Sequence, residues 1–150
     1  MCDIDRIMYL INWDRSLEEQ QEGISMARQV SCIKAFFQPG GPECGKGVWD
    51  NCAIILSERT DQELNPYLLD MLLWLEDLNW PGAERIQRRL IRFQDVSTLS
   101  MYLNAMIPAL SLLGQSSWLM FLGDLLENEP LKESLHPDVV DVLFSHRIDA

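Results

Sequence analysis

The stretch Leu68–Leu90, LLDMLLWLEDLNWPGAERIQRRL, constrains the fold more than any other part of the chain. Its first half is apolar on nearly every side of a helix, and such a helix has to be covered by others. An Asn-Trp-Pro-Gly corner follows. An amphipathic segment then carries Arg85, Arg88, Arg89 and Arg92 opposite an apolar face of Ala83, Ile86, Leu90 and Phe93. The corner therefore belongs at the centre of a helical fold.

Helical spacing continues on both sides of it. Ile4–Ile11 reads as a short helix, and Ser16 with Glu19 makes a capping-box pattern ahead of a helix over Leu17–Val30. Phe37–Gly47 is a glycine- and proline-rich loop, and Val48–Ser57 is the next helix. Thr60 or Asp61 caps a turn leading through Pro66 into a helix over Tyr67–Leu78. The following helix starts near Trp80 or Pro81, because a proline's missing amide would have had no partner there. Ser97 caps a helix to Leu113 that Pro108 kinks or breaks and Gly114 ends. Ser116 or Ser117 opens Trp118–Glu127, and Pro137 opens a last helix to about His146. No hairpin turn or period-two alternation marks a strand. The expected fold is a single all-α domain over residues 1–150. Antiparallel hairpins at 16–58, 61–93 and 96–127 would stack as a short HEAT-like right-handed superhelix, with an up-down helical bundle as the alternative.

Charge bounds the partners. The net charge is −11, and from Phe93 onward eight acids face two bases. A field of that sign repels nucleic acid and anionic membranes and attracts basic proteins, although plain solubility explains it equally well. Apolar runs are far shorter than the ~20 residues that cross a bilayer. The N-terminal MCDIDRIMYL carries acids where a signal peptide needs bases, so a cytoplasmic protein is expected. Cys2, Cys32, Cys44 and Cys52 form no Cys-x-x-Cys pair and are expected to be reduced, mostly buried thiols.

Chemical motifs are weak. Gly40–Gly47 satisfies the G-x-x-x-x-G-K start of a phosphate-binding loop, but Gly47 stands where a hydroxyl should bind magnesium. Glu43 adds negative charge and Pro42 removes a donor, so an interhelical loop is the better reading. His136 and His146 lack metal-ligand spacing. Gly114–Trp118 lacks the second glycine of a nucleophile elbow. No cofactor or metal is implied.

The carboxylates offer more. On a helix over Tyr67–Leu78, Asp70, Trp74 and Asp77 share one face, with Glu76 beside them. Such an acidic-aromatic-acidic stripe can grip a cationic side chain. Alternatively, the acids pair internally with Arg85, Arg88, Arg89 or Arg92. Trp13, Trp49, Trp74, Trp80 and Trp118 are expected to be mostly core, with one or two on a binding surface.

Four stretches carry a family resemblance: Gln21-Glu22-Gly23-Ile24, Trp49-Asp50-Asn51-Cys52-Ala53, Leu72 through Ala83, and Trp118-Leu119. With them the chain resembles a family of small uncharacterised bacterial proteins defined only as a domain of unknown function. The Trp-Leu-x-Asp-x-Asn-Trp-Pro string is the specific part. Glu76 departs from it, standing where the resemblance leads one to expect Gln. The resemblance implies a HEAT-like helical fold that binds macromolecules without catalysis, of the kind met in toxin–immunity loci.

The leading expectation is thus a non-enzymatic module that binds a protein, such as a basic toxin, through an acidic face at Asp70, Trp74, Glu76 and Asp77. A structural or regulatory module with another protein partner is the second. An enzyme built on Asp70, Glu76 and Asp77 is the third.

Overall fold

The computed structural model describes residues 3–40 and 44–148. Among them the regular elements are helical, as expected. They are α1 (Asp3–Leu10), α2 (Leu17–Ala27), α3 (Trp49–Ser57), α4 (Asp61–Leu64), α5 (Leu68–Trp74), α6 (Ala83–Ile91), α7 (Ser97–Leu112), α8 (Ser116–Gly123), α9 (Glu129–Ser134) and α10 (Pro137–Ile148). Short 3-10 turns join several of them. α1 packs on α2, α3 on α6 and α8 on α10, while α7 touches α5, α8, α9 and α10. One hydrophobic core runs through these contacts from Ile7 to Leu143. No helix among the described residues is long and apolar enough to cross a membrane.

Caps explain where several helices start. Ser16 Oγ accepts the Glu19 amide at 3.1 Å, but the Glu19 carboxylate turns to the Arg15 guanidinium at 2.9 Å. The complete reciprocal box forms two helices later, between Thr60 and Glu63 at the start of α4. Close approach matters too. A Cβ on Gly23 would lie 2.6 Å from Ile11 Cγ2 and 2.9 Å from Leu10 Cβ, so α1 and α2 meet there only because the residue is glycine.

Helix ends are finished by side chains from elsewhere in the chain. The last carbonyls of a helix have no intrahelical partner. Arg59 Nη2 donates to the carbonyls of Ala27 and Val30 beyond α2, both at 2.7 Å. Arg89 Nη2 donates to the Arg59 carbonyl beyond α3 at 2.8 Å. Asn128 Nδ2 donates to the carbonyls of Leu90 and Phe93 at 3.0 and 2.8 Å. Its Oδ1 accepts the Leu131 amide at 3.1 Å, and so starts α9. Helix α9 was not foreseen, because its six residues after the Asn128 cap give little periodicity.

Several boundaries differ from expectation: α2 stops at Ala27 rather than Val30, α8 gives way to a 3-10 turn after Gly123, and three others have a plain cause. The helix expected over Tyr67–Leu78 is shorter, because the amides of Leu75 and Glu76 bond the carbonyls of Leu72 and Leu73, three residues back, and tighten the last turn. Pro81 is not the first helical residue of α6: Gly82 intervenes as its N-cap, at φ +85°. Pro108 does not break α7, which runs on to Leu112. Its ring sits on the solvent side while the other face packs on α8, α9 and α10, so one lost hydrogen bond is tolerated.

Candidate functional site

Three tryptophans converge at the corner. The Trp49 ring meets Trp74 and Trp80 edge-on, with centroids 6.2 and 6.0 Å apart. Trp74 Nε1 donates to the Pro81 carbonyl at 3.1 Å, so the end of α5 is tied to the turn that leads into α6. Gly82 seals the arrangement twice over. Its positive φ disfavours any side chain, and a Cβ there would fall 2.7 Å from Ala53 Cβ and 2.8 Å from the Trp49 carbonyl oxygen. Asn51, on α3, donates to the Ile11 carbonyl at 2.7 Å and to Gln20 Oε1 at 2.9 Å, which fastens α1 and α2 to the same hub. Trp118 Nε1 reaches the Leu72 carbonyl at 3.1 Å and brings in α8.

Trp74 is fully buried, so it does not lie on the exposed acidic face where the sequence pattern placed it. An amphipathic stripe tells which residues are neighbours on a helix, but not which side another element covers. The exposed tryptophan is Trp13.

The arginines of α6 do pair internally, but not with the acids named for them. Arg85 meets Asp50 at 3.1 Å and Arg88 meets Glu84 at 3.7 Å. Arg89, buried, meets Asp61 at 2.6 Å and lies over the Phe93 ring. Burial alone would raise the Asp61 carboxyl, yet the Gln94 amide and the Arg89 guanidinium outweigh it and hold Asp61 below its usual range. Arg92 has no ion pair among the described residues.

These side chains line a groove where α3 and α6 run side by side in the same direction. One part of it, about 630 Å³, is bounded by Ile54, Ser57, Glu58, Arg85, Arg88 and Arg92. The part next to it, about 530 Å³, adds Arg59, Asp61 and Arg89. Both helices end at this groove. Its arginines thus face two helix C-termini, whose partial negative charge they offset, and Arg28 ties back Glu58 at 2.9 Å. Ser57 Oγ is buried in the wall without a hydrogen-bond partner.

The outer side of α5 is different. Leu69 and Leu73, one turn apart, are 41% and 39% exposed. Asp70 and Asp77 are half-buried, and Glu76 is exposed. Because α5 stops at Trp74, Glu76 and Asp77 lie in the turn beyond it rather than farther along its face. Asp77 Oδ1 accepts the Asn79 amide at 2.9 Å, a local turn contact. None of the three acids is ion-paired among the described residues. Asp70 thus stands on α5 beside two exposed leucines that the sequence reading missed, and Glu76 and Asp77 follow in the turn after the helix. The signal of Leu69 and Leu73 was present, since they sit at i and i+4, but leucines in an apolar helix read as core.

The remaining candidates stay apart. Of the phosphate-loop pattern, residues 41–43 lie outside the described residues. Lys46, its would-be phosphate ligand, is placed over the Trp49 ring, and Trp49 Nε1 holds the Pro39 carbonyl at 2.9 Å. His136 precedes α10, and His146 in its last turn bonds the Val142 carbonyl through Nδ1 at 2.9 Å. No three His, Cys, Asp or Glu side chains converge as a metal site among the described residues. Cys52 is buried, which pushes its thiol up. Cys32 is exposed and Cys44 half-buried, so the thiols are less buried than expected; Cys2 lies outside the described residues.

The model of a domain of unknown function, DUF5071, matches residues 46–142. The chain belongs to the DUF5071 family. No curated protein and no solved structure matches it. The matched span holds Trp49, Trp74, Trp80, Gly82 and Trp118 of the corner and leaves out Gln21–Ile24, along with Ile11, Gln20 and Pro39, which accept bonds from Asn51 and Trp49. In this DUF5071 chain, Trp49, Asn51, Ala53, Trp74, Trp80, Gly82 and Trp118 thus have architectural roles. Glu76 lies outside this set, exposed in the turn beyond α5.

Proposed function

We propose that this DUF5071 chain is a non-enzymatic helical module of the cytoplasm that binds a basic protein, acting as an immunity-type inhibitor of a toxin. The observation that carries this reading is the outer edge of α5. There, two exposed leucines stand beside Asp70, Glu76 and Asp77, whose charges no base of the described chain pairs with. Apolar anchors with an uncompensated acidic rim suit a partner whose own surface is cationic. The partner's leucine-sized pocket would supply the affinity, and charge would speed the encounter. Inhibition would be steric, by covering a basic active-site surface. A short stack of helical hairpins suits this role, because it presents such an edge on a rigid frame.

The test is affinity capture from the source cells with the wild-type chain and with an Asp70→Lys/Leu73→Lys variant, at low and high salt. A basic protein retained by the wild type should be lost with the variant and weakened by salt. Equal retention by both chains, or indifference to salt, would sink the proposal.

A further inference from the structure

The groove between α3 and α6 gathers positive charge in a chain whose net charge is −11. Arg59, Arg85, Arg88, Arg89 and Arg92 line it, five of the chain's twelve basic residues. Two of them are spent inside the fold: Arg59 on the carbonyls beyond α2 and on Glu63, and Arg89 on the Arg59 carbonyl and Asp61. Arg89 and Asn128 already finish the carbonyl ends of α3 and α6, so the remaining arginines are not needed there. Those three, Arg85, Arg88 and Arg92, are exposed. Arg85 gives one N–H to Asp50, while Arg88 and Arg92 donate no hydrogen bond among the described residues. Arg88 lies 3.7 Å from Glu84 with both side chains largely in solvent, a pairing that holds neither strongly.

The two acids that line the groove are already saturated. Arg28 holds both oxygens of Glu58, at 2.9 and 3.3 Å. Arg89 and the Gln94 amide hold the two oxygens of Asp61, at 2.6 and 2.8 Å. The groove therefore presents donors whose acceptors have to come from outside the chain.

We propose that this groove binds a small organic polyanion, whose carboxylate or phosphate groups lie across Arg85, Arg88 and Arg92 beside Ile54 and Ser57. Spacing supports this first. The three arginines stand at i, i+3 and i+7, on one face, with neighbouring Cβ atoms about 5–6 Å apart. Like charges so placed destabilise the helix by themselves, and an anion with two or more groups at that spacing turns the repulsion into attraction. Each guanidinium offers a planar fork that matches a carboxylate or a phosphate. Ser57 adds a second observation. Its hydroxyl is buried in the wall with no partner among the described residues. Turning it towards a ligand oxygen breaks no existing bond and satisfies a donor. Size and net charge set the ligand's class. A volume of about 630 Å³ falls within the range of small-ligand sites. The chain's overall field repels nucleic acid and long acidic chains in proportion to their own charge, whereas a compact anion meets mainly the arginines within a Debye length.

Isothermal titration calorimetry of the full chain with tripolyphosphate and with citrate, at fixed ionic strength, tests this. Fixed ionic strength and direct heats matter because such anions also raise stability simply by exclusion from protein surfaces. One-site binding of at least one probe is expected, and the preferred probe tells phosphate from carboxylate. Arg88→Gln/Arg92→Gln changes two exposed positions, so it should leave circular dichroism and the unfolding midpoint intact while weakening binding by at least about tenfold. Ser57→Ala should weaken binding by about threefold without lowering the stability of the free chain, since the hydroxyl has no bond to lose. No saturable binding of either probe, or affinity unchanged in the double arginine variant, would overturn the proposal. So would tighter binding of poly-glutamate or single-stranded DNA than of both probes.

Discussion

The two sides of α5 make the instructive comparison. Its inner side, with Leu68, Met71, Leu72 and Trp74, is fully buried, and the indole hydrogen of Trp74 is satisfied by the Pro81 carbonyl. Its outer side carries Leu69 and Leu73 into solvent beside Asp70. Both sides are built from the same residue types. What separates them is the cover that α6, α7 and the Trp49 ring give to one side only, with the Gly82 turn packed against Trp74. A helix apolar all round has one side for the fold and can keep the other for a partner.

The sharpest way to break this contrast is to truncate each side in turn. Trp74→Ala should cost about 3–5 kcal/mol, since it opens a cavity between Trp49, Gly82 and the α5 core and orphans the Pro81 carbonyl. Denaturant unfolding would read this as a large drop in midpoint. An intermediate loss is expected at the Arg89–Asp61 pair, the polar seam beside the hub, and it depends on pH. Asp61 is held below its usual range in the folded chain. Its stabilising contribution is therefore complete above about pH 4, where the unfolded chain is also ionised, and is lost as pH falls towards the depressed folded value. Because the carboxylate is partly exposed, Asp61→Asn should remove about 1 kcal/mol near neutral pH and flatten the acid limb of the stability profile. A variant whose stability falls with acid as steeply as wild type, with the same offset at every pH, would remove Asp61 from this role. The smallest effect belongs to the outer side. Leu73→Ala should shift unfolding by less than about 0.5 kcal/mol while lowering partner capture. A loss as large as that of Trp74→Ala would mean that the two sides do not differ in kind.

Much of the architecture was legible along the chain. The Ser16 and Thr60 starts, the all-helical class and the central place of the corner follow from caps, periodicity and the Asn-Trp-Pro-Gly turn. The acidic-aromatic stripe was only half legible. Asp70 stands beside the exposed Leu69 and Leu73, and Glu76 and Asp77 fall in the turn beyond α5, whereas Trp74 is buried. The internal pairing of the α6 arginines was foreseen, but their partners were not. Asp50 and Asp61 lie on separate helices, 35 and 28 residues away in sequence, and nothing local marks them as neighbours.

The sequence by itself determined the Ser16 and Thr60 helix starts, which residues repeat at 3.6-residue spacing and that the chain turns at Asn79–Gly82. These are short-range matters of backbone conformation, capping and side-chain size, written in adjacent residues. Only the tertiary structure decided which flank of α5 is covered, which carbonyl ends Arg59, Arg89 and Asn128 finish, and which acids remain unpaired. Those outcomes depend on groups tens of residues apart, brought within about 3 Å by packing that periodicity along one helix does not encode.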